Sequence, residues 1–357
     1  MSEHAPKADE APILFRQQGA AGIITLNRPR QLNALNPEMV ALAHPVLARW
    51  KHDPTVTRVI IRGSGDKAFC AGGDIRLMHK LGTGGQREAA LDFWREEYRL
   101  NRVLHTYPKP VVALMDGIVM GGGVGLSCHG SHRVATERLV LAMPEVAIGF
   151  FPDVGAAHLL GRLPGAFGRY LAVTGERVGL GDALALGLVT HAIDAADIAA
   201  VEQALTGTEP VEACLAPFLR PTPPGPLLAA RARVDALFGH DSIPAILQAL
   251  EGAAADDPDL AGKALASMRH GSPLSEAIAL EQVKRGAGQD LDAALRQDMR
   301  IVTRIAAAQD FYEGVRALLI DKDNAPRWQP ARHEEVTAAM VAAYFEPLPR
   351  ELDFEGL

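Results

Sequence analysis

Apolar positions along the chain follow two rhythms, short dense runs and a helical period, and the balance between them shifts once. Residues 13–15 and 22–27 are short apolar runs around Gly19-Ala-Ala-Gly22, which predicts a β-hairpin. Asn36-Pro37-Glu38 opens a helix, with Asn as cap, Pro at the first position and an acid in the first turn. Residues 56–62 are β-branched and end at Gly63-Ser64-Gly65-Asp66, a strand running into a turn. The loop Phe69-Cys70-Ala71-Gly72-Gly73-Asp74 follows, and Ile75 starts the next helix. Leu91, Trp94, Tyr98 and Leu100 give Arg87–His105 an amphipathic helical face. Val111–Met115 and Ile118–Met120 read as strands about the Asp116-Gly117 turn, and Gly121-Gly122-Gly123 leads into a helix through Ser127. Strands at 133–136 and 139–142, helices at 154–163, 166–173 and 180–186, and a strand at 189–193 complete this half.

Pro210, Pro217, Pro221, Pro223, Pro224 and Pro226 then mark a linker, and from Leu227 the chain is Ala/Leu/Arg-rich with helical period. The expected architecture is α/β, with a core over residues 1–205 and a helical C-terminal region over 206–357.

Composition narrows the function. With 48% hydrophobic and 22% charged residues the chain is globular rather than disordered. A net charge of −7 without a basic tract argues against a nucleic-acid partner, and 5% aromatics offers no base-stacking platform. The longest apolar stretch, 111–126, is broken by Asp116 and five glycines, so no membrane span is expected. Three cysteines without a C-x-x-C pair suggest a reducing compartment, read here as cytoplasmic, and MSEHAPKADEAP lacks the apolar segment of a secretory signal. Cys128, His129 and His132 read as packing and surface groups, with no second ligand pair for a metal.

Phosphate-loop, dinucleotide and H-E-x-x-H motifs are absent, and Ser127 lacks the second glycine of a nucleophile elbow. Glycine and carboxylate remain. Ala71-Gly72-Gly73-Asp74 and Gly121-Gly122-Gly123 each lie between a strand and a helix. Their amides either hold an oxyanion or merely form tight turns. Glu145 and Asp153 lie in a strongly apolar run, where a charge is costly unless paired or used. The bland alternatives are an ion pair with arginine for Glu145 and a helix cap for Asp153.

The motifs ITLNRPRQLNALN (24–36), DKAFCAGGDI (66–75), KPVVALMDGIVMGGGVGLS (109–127) and MPEVAIGFFPDVGAAHLLGRLPG (143–165), in this order, resemble the crotonase (enoyl-CoA hydratase/isomerase) superfamily. REEYRLN (95–101), the Phe-Pro-Asp element at Asp153 and DFYEGVRALLIDKDNAPRWQP (310–330) resemble its 3-hydroxyisobutyryl-CoA hydrolase family. The resemblance implies a spiral of ββα units that binds acyl-CoA. It implies an oxyanion hole from the Gly73 and Gly122 amides, with Ala71, Gly72 and Asp74 in the loop that contacts CoA and the adenine near Ala71. Glu145 and Asp153 become the acidic residues and Glu97 a substrate contact, although Glu97 alone reads as a solvated helix face. No metal or redox cofactor is implied, and coenzyme A enters as part of the substrate. The implied reaction releases a 3-hydroxy acid and CoA, with valine catabolism as the expected setting. Glu145 either attacks the thioester or activates water.

Hydratases of the superfamily usually carry a second glutamate where this chain has Gly125. That separates the hydrolase reading from a hydratase or isomerase, while retention of both Glu145 and Asp153 argues against a silent acyl-CoA-binding protein. Residues 297–303 and Ser272-Pro273-Leu274-Ser275 depart from the family pattern, outside the implied site. The resemblance also implies a homo-oligomer unless the C-terminal region covers that surface.

Overall fold

A computed structural model describes residues 11–356. The segment 1–10, most of the stretch read for a secretory signal, lies outside the described residues. The hairpin forms from β1 (Ile13–Gln18) and β2 (Ala21–Leu26), paired antiparallel. Helix α1 (Pro37–His52) starts where expected, with Asn36 Oδ1 accepting from Met39 N at 2.9 Å.

Three times the chain then lays one strand in each of two sheets. These pairs are β3 (Arg58–Gly63) with β4 (Ala68–Cys70), β5 (Val111–Met115) with β6 (Ile118–Met120), and β7 (His132–Thr136) with β8 (Val140–Ala142). The larger sheet runs β1-β2-β3-β5-β7-β9, closing with β9 (His191–Ile193), and is parallel from β2 onward. The smaller sheet is β4-β6-β8, all parallel. Helices α2 (Ile75–Thr83) and α3 (Arg87–His105) follow β4, and α4 (Gly122–Cys128) follows β6. This is the ββα repetition that the resemblance implies.

The larger sheet is buried on both faces, which is why its strands read as dense apolar runs rather than alternations. Ile24, Ile61, Ala113 and Ala135 face the main core, whereas Ile23, Ile60, Val112 and Val134 meet Val201, Leu205 and Leu215. Val211, Cys214 and Leu215 account for a departure from the expected linker. Their spacing makes 211–215 a short helix that packs on the sheet, and the extended segment starts only near Leu219.

The smaller sheet decides where the chemistry sits. Its register pairs Cys70 with Val119 and Met120 with Ala142. The carboxyl ends of its three strands therefore deliver Ala71–Asp74, Gly121–Gly123 and Met143–Glu145 side by side, the usual position for a ligand crevice in a parallel sheet. The C-terminal helices close this edge. Pro273–Gly286 packs on α5 (Ala156–Leu160) and α6 (Phe167–Thr174), Leu291–Ile305 on α3 and α5, and Asp310–Val315 on α2 and the Glu145 turn. Residues on both sides of position 206 share one apolar core. Among the described residues no helix is long and apolar enough to cross a membrane.

Candidate active site

A cavity of about 730 Å³ opens at this edge, and its walls include Gly72, Gly73, Gly121, Gly122, Glu97, Glu145 and Asp153. Gly73 forms a parallel bridge with Leu35. The bridge uses its neighbours' groups: Leu35 N donates to Gly72 O at 2.8 Å and Asp74 N to Leu35 O at 2.6 Å. The Gly73 N–H is thus left outside the bridge, in the wall of the cavity. Gly72 holds φ +113°, open to glycine but not to side-chain-bearing residues. Asp74 is occupied on both oxygens: Oδ1 caps α2 at Leu77 N (3.2 Å) and Oδ2 accepts from Arg28 Nη2 (2.8 Å).

Gly122 stands in the first turn of α4, where an N–H has no intrahelical acceptor. A methyl built on Gly122 would lie 3.4 Å from Gly73 N, and one built on Gly72 would lie 3.8 Å from Gly122 N. The two amide nitrogens therefore border one small volume.

Three carboxyl groups surround that volume. Glu97 is 2% exposed, Glu145 8% and Asp153 5%. A methyl on Gly122 would collide with Glu97 Oε1, and one on Gly121 would stand 2.8 Å from Glu145 Oε1, so both acids lie directly on the glycine loop. Tyr98 OH donates to Asp153 Oδ2 at 2.9 Å. Glu97 Oε1 and Glu145 Oε2 are buried without a hydrogen-bond partner. The bland readings fail on this geometry. Glu97 faces inward rather than solvent, and the Asp153 side chain bonds Tyr98 instead of capping a helix. Among the described residues no arginine pairs with Glu145.

Burial pushes all three carboxyls up, and repulsion by neighbouring acids adds to it at Glu97 and Glu145. Glu97 is held well above the usual carboxylate range by burial, then by Asp153 and Glu145. Glu145 is raised by burial, then by Asp153. Burial lifts Asp153 to about 7 even though the Tyr98 hydrogen bond opposes it. Trp94 and Phe150, stacked at 5.5 Å between centroids, supply the apolar wall, and Phe311 packs edge-on against Trp94 at 5.9 Å.

These raised values carry a stability signature. A carboxyl whose folded-state pKa exceeds its unfolded value of about 4 takes up a proton on folding between the two, so stability falls as pH rises through the folded value. His129, held down to about 3 by burial, works in the opposite sense, but only below its unfolded value of about 6.5. Between roughly pH 6.5 and 8 the carboxyls dominate. Thermal melts across that window should show a melting temperature that falls with pH, and falls less in Glu97→Gln. Equal slopes would contradict a proton-holding cluster.

The segment that carries Asp153 departs from the helix expected over 154–163, because α5 begins only at Ala156. Val154 is at φ +52° and Gly155 at φ +76°. A β-branched residue in that region is strained, by about 1–3 kcal/mol, and cannot enter the helix. The Val154 side chain has its own berth: a methyl on Gly125 would stand 2.8 Å from Val154 Cβ and 2.7 Å from Asn101 Nδ2. No side chain of any size fits at position 125.

Several lining residues carry no signal in the sequence. Leu318 and Leu319 bring the C-terminal region into the wall, and Arg30 and Arg76 place positive charge there. The low aromatic content gives no hint that Trp94, Phe150 and Phe311 cluster at this one place. Of the residues weighed for metal, His129 Nε2 donates to Val154 O at 2.7 Å and His132 Nε2 pairs with Glu212 Oε1 at 3.0 Å. Among the described residues no His, Cys, Asp and Glu group is arranged to hold a metal.

Comparison with known proteins identifies relatives along nearly the whole chain. The enoyl-CoA hydratase/isomerase family model matches residues 21–345. The protein named 3-hydroxyisobutyryl-CoA hydrolase, mitochondrial, of Xenopus tropicalis is 43% identical over 98% of this chain and 91% of its own length. That of Homo sapiens is 39% identical over 98% and 91%. A solved structure named as a carnitinyl-CoA dehydratase from Mycobacterium thermoresistibile superposes with a TM-score of 0.92 at 40% identity, over 97% of this chain and 99% of its own. Another, named as an enoyl-CoA hydratase from Rhodobacter sphaeroides, gives 0.90 at 41%, over 96% and 100%. The cytoplasmic expectation is corrected by the relatives, which are named as mitochondrial. Three free, buried cysteines require only a reducing environment, which does not single out the cytoplasm. The ββα repetition, the match to the family model over residues 21–345 and the similarity over nearly the whole length together place the chain in the enoyl-CoA hydratase/isomerase (crotonase) family.

Proposed function

We propose that this chain hydrolyses the thioester of a short 3-hydroxyacyl-CoA, 3-hydroxyisobutyryl-CoA first among them, to the free hydroxy acid and CoA. The observation that carries the reading is the Glu145 carboxyl, whose buried Oε2 has no hydrogen-bond partner, lying against the loop that holds the Gly73 and Gly122 amides. The thioester oxygen accepts from both amides, which stabilise the tetrahedral oxyanion. Ionised Glu145 attacks the carbonyl carbon. The C–S bond breaks, and the departing thiolate takes a proton from the Glu97/Asp153 pair. Water then gives a proton back to the pair and attacks the glutamyl carbonyl of the mixed anhydride; the hydroxy acid leaves as its carboxylate, and Glu145 loses the remaining proton to solvent and is restored. Amides and carboxyls supply all of this chemistry, and coenzyme A enters only with the substrate.

Arg30 and Arg76 in the cavity wall suit the CoA phosphates. Ala71 N donates to Leu32 O at 3.0 Å, which leaves the adenine role to the Ala71 carbonyl. The hydroxyacyl substrate fits valine breakdown as the metabolic setting. Hydration of an enoyl-CoA, the activity for which one structural relative is named, would require an acid at position 125, where no side chain fits.

The test is a substrate panel of 3-hydroxyisobutyryl-CoA, 3-hydroxypropionyl-CoA and crotonyl-CoA, with free thiol and enoyl absorbance followed together. Thiol release from the hydroxyacyl substrates without loss of enoyl absorbance is expected. In a single turnover in ¹⁸O-water, the first product should carry an oxygen from the protein. Hydration of crotonyl-CoA without thiol release would reject the reading.

A further inference from the structure

The turn that carries Asp153 is gripped from three directions by side chains that lie outside the cavity. Gln282, on the helix Pro273–Gly286, donates through Nε2 to Pro152 O at 2.8 Å. His129, just past the end of α4, donates through Nε2 to Val154 O at 2.7 Å. Asp298, on the helix Leu291–Ile305, accepts from Gly155 N at 2.7 Å through Oδ2. Asp298 Oδ1 also accepts from Gln282 Nε2 at 2.8 Å, so the two C-terminal helices are joined at the turn they hold. All three residues are buried, Asp298 and Gln282 completely.

The backbone of 152–155 is thus bonded at three points to side chains from different helices or helix ends. Backbone bonds of this kind serve no regular element here. They hold Val154 in its left-handed conformation, which persists only where the surroundings over-determine it. What the turn presents to the cavity is the Asp153 carboxyl, fixed on its far side by Tyr98. A buried carboxyl whose partners are one loop amide and one side-chain amide is costly to keep.

We propose that Asp298, with Gln282 and His129, forms a clamp that sets the position of Asp153 for the thioester reaction. These are positioning residues: they reach substrate only through Asp153, and the inference rests on the proposed role of Asp153. Asp298 belongs to 297–303, where the sequence departs from the family pattern. The C-terminal region therefore contributes to the chemistry from behind the site as well as to its wall.

The test compares Asp153→Asn, Asp298→Asn, Gln282→Met and the exchange Asp298→Asn with Gln282→Glu, by steady-state hydrolysis of 3-hydroxyisobutyryl-CoA. In Asp298→Asn the new amide N–H faces another donor, either Gly155 N–H or Gln282 Nε2–H. A displacement of about 1 Å in Asp153 should lower kcat about 10²-fold with KM little changed. Gln282→Met, which loses only the bonds to Pro152 O and Asp298, should act in the same direction and more mildly. In the exchange, the amide introduced at position 298 donates to a protonated carboxyl introduced at position 282. That carboxyl in turn donates to Pro152 O, and most of the lost kcat should return. Wild-type kcat in both Asp298→Asn and Gln282→Met would overturn the clamp, and Gln282→Met alone decides it if Asp298→Asn does not fold. A loss that the exchange leaves unrepaired would also overturn it, by assigning Asp298 to bulk stability. Wild-type kcat in Asp153→Asn would instead refute the role of Asp153 on which the clamp depends.

Discussion

Replacing Glu145 with Gln should lower kcat for 3-hydroxyisobutyryl-CoA by at least about 10³-fold while the protein becomes more heat-stable above neutral pH. Both effects come from one carboxyl. Glutamine keeps the shape and buries as well, but it can neither attack a carbonyl nor accept a proton. Glu145 is driven well above its ordinary range by burial and by Asp153, so ionising it at pH 8 costs the folded state free energy that the unfolded chain does not spend. The amide has no such cost. Initial rates and thermal melts at pH 8 on the same preparation check the pair. Near-normal thioester cleavage would remove Glu145 from the mechanism, and a lower melting temperature would show that its ionisation is not held back.

The second large effect is expected from Gly122→Ala. Gly122 has no positive φ, so alanine suits the backbone, and any loss must come from the methyl itself. That methyl would collide with Glu97 Oε1 and stand 3.4 Å from Gly73 N, in the space assigned to the thioester oxygen. Blocking an oxyanion donor typically costs about 10²–10³ in kcat, and an effect of this size is expected with CoA itself bound as before. Gly73→Ala makes a useful contrast. Its methyl would meet Phe93 Cε1 at 3.4 Å, a tight contact but not a collision, and should be the gentler change. Kinetics of both variants, with CoA affinity measured by calorimetry, test the assignment. A Gly122→Ala enzyme with wild-type kcat would refute the amide pair.

The sequence carried the strands plainly, because a sheet buried on both faces leaves unbroken apolar runs. It carried the Asn36 cap and the limits of α3 for equally local reasons. Glu145 and Asp153 stood out as acids in an apolar stretch, but their meeting with the two glycine loops depends on the parallel register of β4, β6 and β8, which is a long-range property. Glu97 was obscured by its Glu/Arg-rich neighbours. Its spacing from Trp94, Asn101 and Leu104 nevertheless puts it on the apolar stripe of α3, and that signal was available. The turn at Val154 was not readable: valine gives no local hint of a left-handed backbone, and two of the bonds that impose it come from residues more than a hundred positions away. The wall built by Leu318 and Leu319 is hidden for the same reason.

The crowding of three acids into one dry chamber bears on the end of the catalytic cycle. The acyl portion enters as an uncharged thioester, and hydrolysis turns it into an anion in a low-dielectric enclosure that already holds Glu97, Glu145 and Asp153. On the proposed mechanism the cycle ends with Glu145 ionised, and a second carboxylate beside it is repelled in such surroundings. The carboxyl proposed to open the bond thereby also favours departure of the acid it makes.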